Sequence, residues 1–491
     1  MSEQGVAEQG VLFPAGPDGR RSTASTGKAV WADAMRGVDD ELAERIARAG
    51  DWRKEYVAGV VAHTAAATRS PDAAVEVARQ GLASLGDRMR FERGASIGPV
   101  AQALTDGKEV LRPQVLRGEG ERERALVLPY QGRQLAGDAL RRQVDAWVSA
   151  GTVEPSCAAA LQRVIDTPDW LDLSDRAFAL LGAGAEMGPL QPLSRWGAHV
   201  VAVDIPKPAI WDRVRATAAA GAGTLTFPVG DDGAGVDLLT QAPEVAAFLR
   251  SAADGLPLTI GSYAYADGAK HVQVVHASDS LIELLLRERP DTSYAELATP
   301  TDSYAVPPEL VADARARWSQ RGWRTGVQAT LRGASRGALF TPSYEDEAVR
   351  TDGTTVGVVD VLVPQQGANY TLAKRVQRWR ALVAQSDGHL VSANVAPATA
   401  TRSVTKNRLL AAAYAGAKRF GVEVFQPETS RVLMAALLVH DLRVGAPARA
   451  HPDDLFAHQA AHGGLWRIAY LPRSVLGLAA VTGLPSALRH A

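Results

Sequence analysis

The sequence predicts an α/β protein: a Rossmann-type doubly wound parallel sheet with a helical N-terminal region. Three observations carry this. The apolar run 178–181 ends in a glycine cluster, a helix-length segment follows, and a second apolar run, 200–203, ends in Asp204. That order is a βαβ unit, which returns the chain to a parallel neighbour. Further short apolar runs, at 224–229, 256–260 and 390–395, alternate with helical patterns.

Composition bounds the rest. At 491 residues the chain can hold two or three domains with sizeable cores. A net charge of −1 supplies no overall basic field, so no nucleic-acid partner is expected. Cys157 is the only cysteine, which excludes intrachain disulfides and Cys-rich metal sites. A reducing, cytoplasmic location is the expectation. The N-terminus lacks an apolar signal core, and no apolar run is long enough for a membrane span.

Residues 1–27 are small and polar and are expected to be disordered. A helical region follows over 28–170. Leu42, Ile46 and Ala49, then Tyr56, Val60 and Val61, recur at helical spacing. Ser70 caps a helix with Pro71 at its first position. Residues 91–135 are charged and irregular, with a short strand at 125–128. Helices at 140–148 and 157–165 lead into a nucleotide-binding domain over 171–445. Within it, strands are expected at 224–229, 256–260, 271–275, 355–363 and 390–395. An insertion is expected at about 290–350, containing the rigid loop Thr299-Pro-Thr-Asp-Ser and a helix over 309–321. Helices at 373–384, 406–419 and 428–440 follow, then a helical extension over 446–491.

The glycine cluster has a chemical reading. Gly182 permits the turn out of the strand. Gly184 lets backbone approach a pyrophosphate. Gly188, in or near the first helical turn, allows close contact. Phosphates would meet the N–H groups and positive end of the helix, where Pro189 suits the first turn. Asp204 follows Gly182 by 22 positions, where an acid binds ribose hydroxyls. Asp237, beyond the third strand, either approaches an adenine or caps a turn. The glycines read G-x-G-x-x-x-G, with Met187 at the usual third glycine position. S-adenosylmethionine enzymes share the glycine turn and the acid, so a methyltransferase stays open.

Tyr370-Thr-Leu-Ala-Lys374 sets a phenol and an amine four apart on one helical face. An ammonium beside a phenol lowers its pKa toward a range useful for proton transfer. A strand and the loop Asn394-Val-Ala-Pro397 follow. Over 176–245 and 355–405 the chain resembles the short-chain dehydrogenase/reductase family. That resemblance implies Tyr370 as general acid/base, Lys374 on the nicotinamide ribose, and the Pro397 loop beside the nicotinamide. It also implies a serine shortly before the tyrosine, where Gly357 stands with Thr354 and Thr355 nearby.

The leading expectation is an NAD-dependent oxidoreductase acting on a small carbonyl or alcohol. NADP is kept open by Lys207 and Arg213. A non-catalytic nucleotide-binding protein is a further alternative. His458 and His462 are four apart, yet no third ligand is evident, and no metal is expected. His271 and His276 bracket an apolar run; they either approach a substrate or are core or strand-edge histidines. The apolar segment 474–484 suits docking or a subunit contact, which puts a homo-oligomer among the expected partners.

Overall fold

Six short apolar runs set the centre of the molecule. They form β1 (Ala177–Leu181), β2 (His199–Val203), β3 (Thr224–Gly230), β4 (Leu258–Ser262), β5 (Ser293–Ala298) and β6 (Val391–Val395). Neighbouring strands pair in parallel in the order β3-β2-β1-β4-β5-β6. This is the doubly wound Rossmann order. The structure is a computed structural model and describes residues 9–107, 111–231, 233–252, 255–320, 322–345 and 347–487.

Helices cover both faces, which is why the strands are apolar on both sides rather than alternating. Helices α1 (Leu190–Arg195), α2 (Pro208–Ala219) and α6 (Pro427–Val444) share a core with Phe178, Leu180 and Val200. On the other face α3 (Ala242–Ala252), α4 (Ala269–Glu288) and α5 (Gly367–Ser386) pack with Ala179, Val201 and Ile260. The winding changes face between β1 and β4. Their loops diverge there, at the carboxyl edge of the sheet, where ligands of this fold bind.

Several expectations are corrected. The N-terminal region is mostly helical, but it also contributes strands. Its strand Arg112–Arg117 adds antiparallel to the outer edge of β3. Its helix Pro71–Arg88, capped by Ser70 as expected, lies on α5, with Gly81 fitted against the Trp379 ring. Burying α5 from outside requires such a cover, since Trp379, Arg375 and Arg378 are all enclosed. Of the span 1–27, residues 1–8 lie outside the described residues. The rest is ordered: Gly10–Leu12 pairs with Arg90–Arg93, and Ser22 caps the helix Thr23–Asp33.

His271 and Val275 belong to α4, not to a strand. The apolar positions there fit a helix buried along most of its length, which periodicity in a short window does not separate from a strand. The insertion begins after β5 rather than at 290. Ser303–Val306, Glu347–Val349 and Thr355–Asp360 form their own antiparallel sheet, so the run at 355–363 does not resume the parallel one. The C-terminal extension is only partly helical: Asp454–Ala457 and Leu476–Ala487 bracket mostly irregular chain that buries Trp466.

Candidate functional site

The glycine turn leaves β1 at the point where β4 ends. Gly182 sits at φ +89°, and a Cβ there would stand 2.5 Å from Ala264 Cα. Both the turn and the neighbouring backbone exclude a side chain. At Gly184 a Cβ would meet Ile210 Cγ2 at 2.7 Å and Asp204 Oδ2 at 3.1 Å. The missing side chain makes room for the chain's own atoms. Gly188 precedes the helix instead of entering it, and Pro189 holds the N-cap of α1. That helix has six residues, so the macrodipole expected to hold phosphates is small.

Asp204 closes this loop. Its oxygens accept Gly184 N and Ile205 N, each at 2.8 Å. Burial raises its pKa, opposed by those two N–H groups and by Arg213 and Lys207. Each oxygen keeps a further lone pair for a diol. Among the described residues, Glu186 N and Met187 N meet no protein acceptor. Cations surround them: Arg213 donates to Gly184 O at 2.9 Å, and Arg431 of α6 donates to Glu186 O at 2.8 Å. Free N–H groups, a cationic rim and an acid with spare acceptors fit a nucleotide. Asp237 caps a turn, its Oδ1 accepting Leu239 N at 2.8 Å.

Two strands away, α5 starts at the carboxyl edge of β5. Tyr370 lies in its first turn and donates to Thr299 Oγ1 at 3.0 Å. Thr299 follows directly on β5 and shares a hydrogen bond with Thr301 Oγ1 at 3.0 Å. Asp302 fixes this loop: its carboxylate binds Arg375 at 2.9 Å and Arg378 at 2.8 Å, both on α5 and buried. The helix that carries the phenol therefore also anchors its partner. His271, at the start of α4, stacks on Tyr370 with ring centroids 5.8 Å apart. Burial and then Lys374 push the imidazole down to about 3, so it is neutral. Its Nε2 is buried without a partner among the described residues.

The expected pairing of Lys374 with the phenol is absent. The ammonium donates to Gln377 Oε1 at 2.8 Å and acts on Glu296, a buried β5 carboxylate with no hydrogen-bond partner among the described residues. The carboxylate is the opposite charge that draws the ammonium down the helix, away from the rim. Burial lowers the Lys374 amine, opposed by Glu296 and Asp302. Burial likewise pushes Glu296 up to about 7, opposed by Lys374 and Arg378. No cation lowers the phenol; burial raises its pKa against the hydrogen bonds of Thr299 and Thr301.

Pro397 is buried just beyond β6, and its carbonyl accepts the Thr399 hydroxyl at 2.8 Å. It follows β6 at the carboxyl edge of the sheet, the edge on which Tyr370 meets Thr299. His458 and His462 do not share a helical face; the helix ends at Ala457. His462 is buried 2.9 Å from Glu154 instead. No cluster of three metal-ligating side chains occurs among the described residues. None of their helices is long and apolar enough to cross a membrane.

Thr299, Glu296 and Arg431 were not legible as site residues, whereas His271 was read as a core histidine or one that approaches a substrate. Thr299 did carry a signal, since it opens the Pro-containing loop Thr299-Pro-Thr-Asp-Ser. No family model, curated protein or solved structure matches this chain.

Proposed function

We propose that this chain is an NAD- or NADP-dependent oxidoreductase that reduces a small carbonyl compound, with Tyr370 as the proton donor. One observation carries the reading: the Tyr370–Thr299 hydroxyl pair at the carboxyl edge of β5, on a sheet wound in dinucleotide-binding order. Asp204 would take the adenosine ribose. Arg213, Arg431 and the N–H groups of Glu186 and Met187 would meet the phosphates. When bound, the nicotinamide supplies the hydride.

Everything else falls to the chain's own side chains. A phenol with a raised pKa stays protonated at neutral pH, so it donates rather than abstracts, which favours the reductive direction. Thr299 Oγ1 fixes the hydroxyl's position, and His271 covers one face of the ring. Lys374 acts at a distance, as the counter-charge of Glu296.

That last feature favours a second reading, a nucleotide-binding protein without hydride transfer, because no ammonium assists the phenol. Oxidation of NADH and NADPH by a panel of aldehydes and ketones separates the two. Turnover that falls about 10²–10⁴-fold in Tyr370→Phe supports the oxidoreductase. Turnover unchanged by that substitution removes Tyr370 from the chemistry.

A further inference from the structure

The helices Arg408–Gly416 and Leu476–Ala487 pack antiparallel through small residues. A Cβ on Gly416 would meet Ala479 O at 2.0 Å, and one on Gly483 would meet Ala412 O at 1.9 Å. This register buries Ala479, Ala480 and Gly483. It turns Val481 and Leu484, three residues apart, outward together. Val481 is 65% exposed and Leu484 47%. Leu409, 45% exposed, lies about one turn before Ala412, beside the end of the helix that bears Leu484.

The two helical segments carry charges of one sign. No Asp or Glu occurs at 402–422 or 474–487. Lys406, Arg408, Lys418 and Arg419 are exposed, and none has a carboxylate within ion-pair distance among the described residues. Arg408 adjoins Leu409. Arg419 donates to Thr482 O at 3.2 Å, beside Val481. Cations thus flank the apolar cluster at both ends.

We propose that this helix pair docks the protein on an anionic phospholipid surface through Leu409, Val481 and Leu484. The apolar side chains enter the headgroup boundary while the cations meet lipid phosphates and carboxylates. A two-fold contact between copies would bring the same cations face to face. Nucleic acid would satisfy the cations and leave the apolar side chains in water. Docking does not depend on Tyr370 chemistry.

Co-sedimentation of the full chain with vesicles of phosphatidylcholine, with and without phosphatidylserine, tests this. Binding is expected to the mixed vesicles and not to phosphatidylcholine alone, and added salt should release it. Lys406→Ala/Arg408→Ala/Lys418→Ala should lower vesicle affinity on the order of a hundredfold. Val481→Ser/Leu484→Ser should weaken binding to the mixed vesicles even at low salt. If the serine variant melts early, the exposed-cation variant and the salt titration decide. Failure to sediment with mixed vesicles overturns the proposal. So does binding that the cation substitutions leave unchanged, or a dimer that the same substitutions dissociate.

Discussion

The Tyr370 hydroxyl donates to Thr299 Oγ1 at 3.0 Å, across 71 residues of chain. The insertion between them folds as its own three-stranded sheet and helices, then returns the chain to the carboxyl edge of β5. In the proposed oxidoreductase, Thr299 would take the place of the hydroxyl implied shortly before the tyrosine, from the far side of the insertion. Gly357, at the expected position, lies in the Thr355–Asp360 strand of the small sheet.

Thr299 is predicted to tune the phenol. Its hydrogen bond lowers the Tyr370 pKa, against the larger raising effect of burial. Carbonyl reduction should stay level through neutral pH and decline only as the phenol ionises above its ordinary value of 10. Thr299→Val should move that alkaline limb higher, and Thr299→Ser should restore it. A pH–rate profile checks this; an identical limb in the valine variant would separate Thr299 from the phenol.

Glu296 should make stability depend on pH. Its folded pKa is raised to about 7 from an ordinary 4.5, so the folded protein holds the proton more tightly than the unfolded chain. The resulting stabilisation is fully present below 4.5 and is lost as pH rises through about 7. Denaturant midpoints measured on either side of neutrality should fall with rising pH in the wild type and vary less in Glu296→Gln. Equal slopes would contradict the assignment.

Removing Asp302 should unfold the loop behind Thr299. Two buried guanidiniums share this one carboxylate, and Asp302→Ala would strand both. Breaking a buried pair of this kind costs about 3–5 kcal/mol. Urea denaturation checks this; a loss below about 1 kcal/mol, the scale of an exposed pair, would mean that the arginines find other partners.

Two glycines should respond oppositely to alanine. Gly182→Ala forces a Cβ against Ala264 at positive φ and should destabilise by more than about 1 kcal/mol. Gly86 lies in the helix Pro71–Arg88 with open space where an alanine methyl would stand, so Gly86→Ala should stabilise by about 0.4–1 kcal/mol. Thermal unfolding of both variants provides the comparison.

The parallel sheet was legible because its strands are buried on both faces and punctuated by glycine turns. β1, β2 and β6 fall where their apolar runs lie. The sequence misled where context overrides pattern. His271 sits in a helix buried along most of its length, which leaves too narrow a polar face to reveal its period. Tyr370 and Lys374 were recognisable by spacing. The direction Lys374 takes was not, because it depends on a carboxylate 78 positions earlier, on β5. Thr299 was hidden by the length of the insertion, and Arg431 by lying on a helix from the far end of the chain.

Cofactor binding tests the central claim most directly. Titration of the chain with NADH, NADPH and S-adenosylmethionine, followed by thermal shift and cofactor fluorescence, should give saturable binding of a nicotinamide cofactor that Asp204→Ala weakens. Tyr370→Phe should leave that binding intact. Absence of binding by both nicotinamide cofactors, or binding of S-adenosylmethionine alone, would contradict the oxidoreductase.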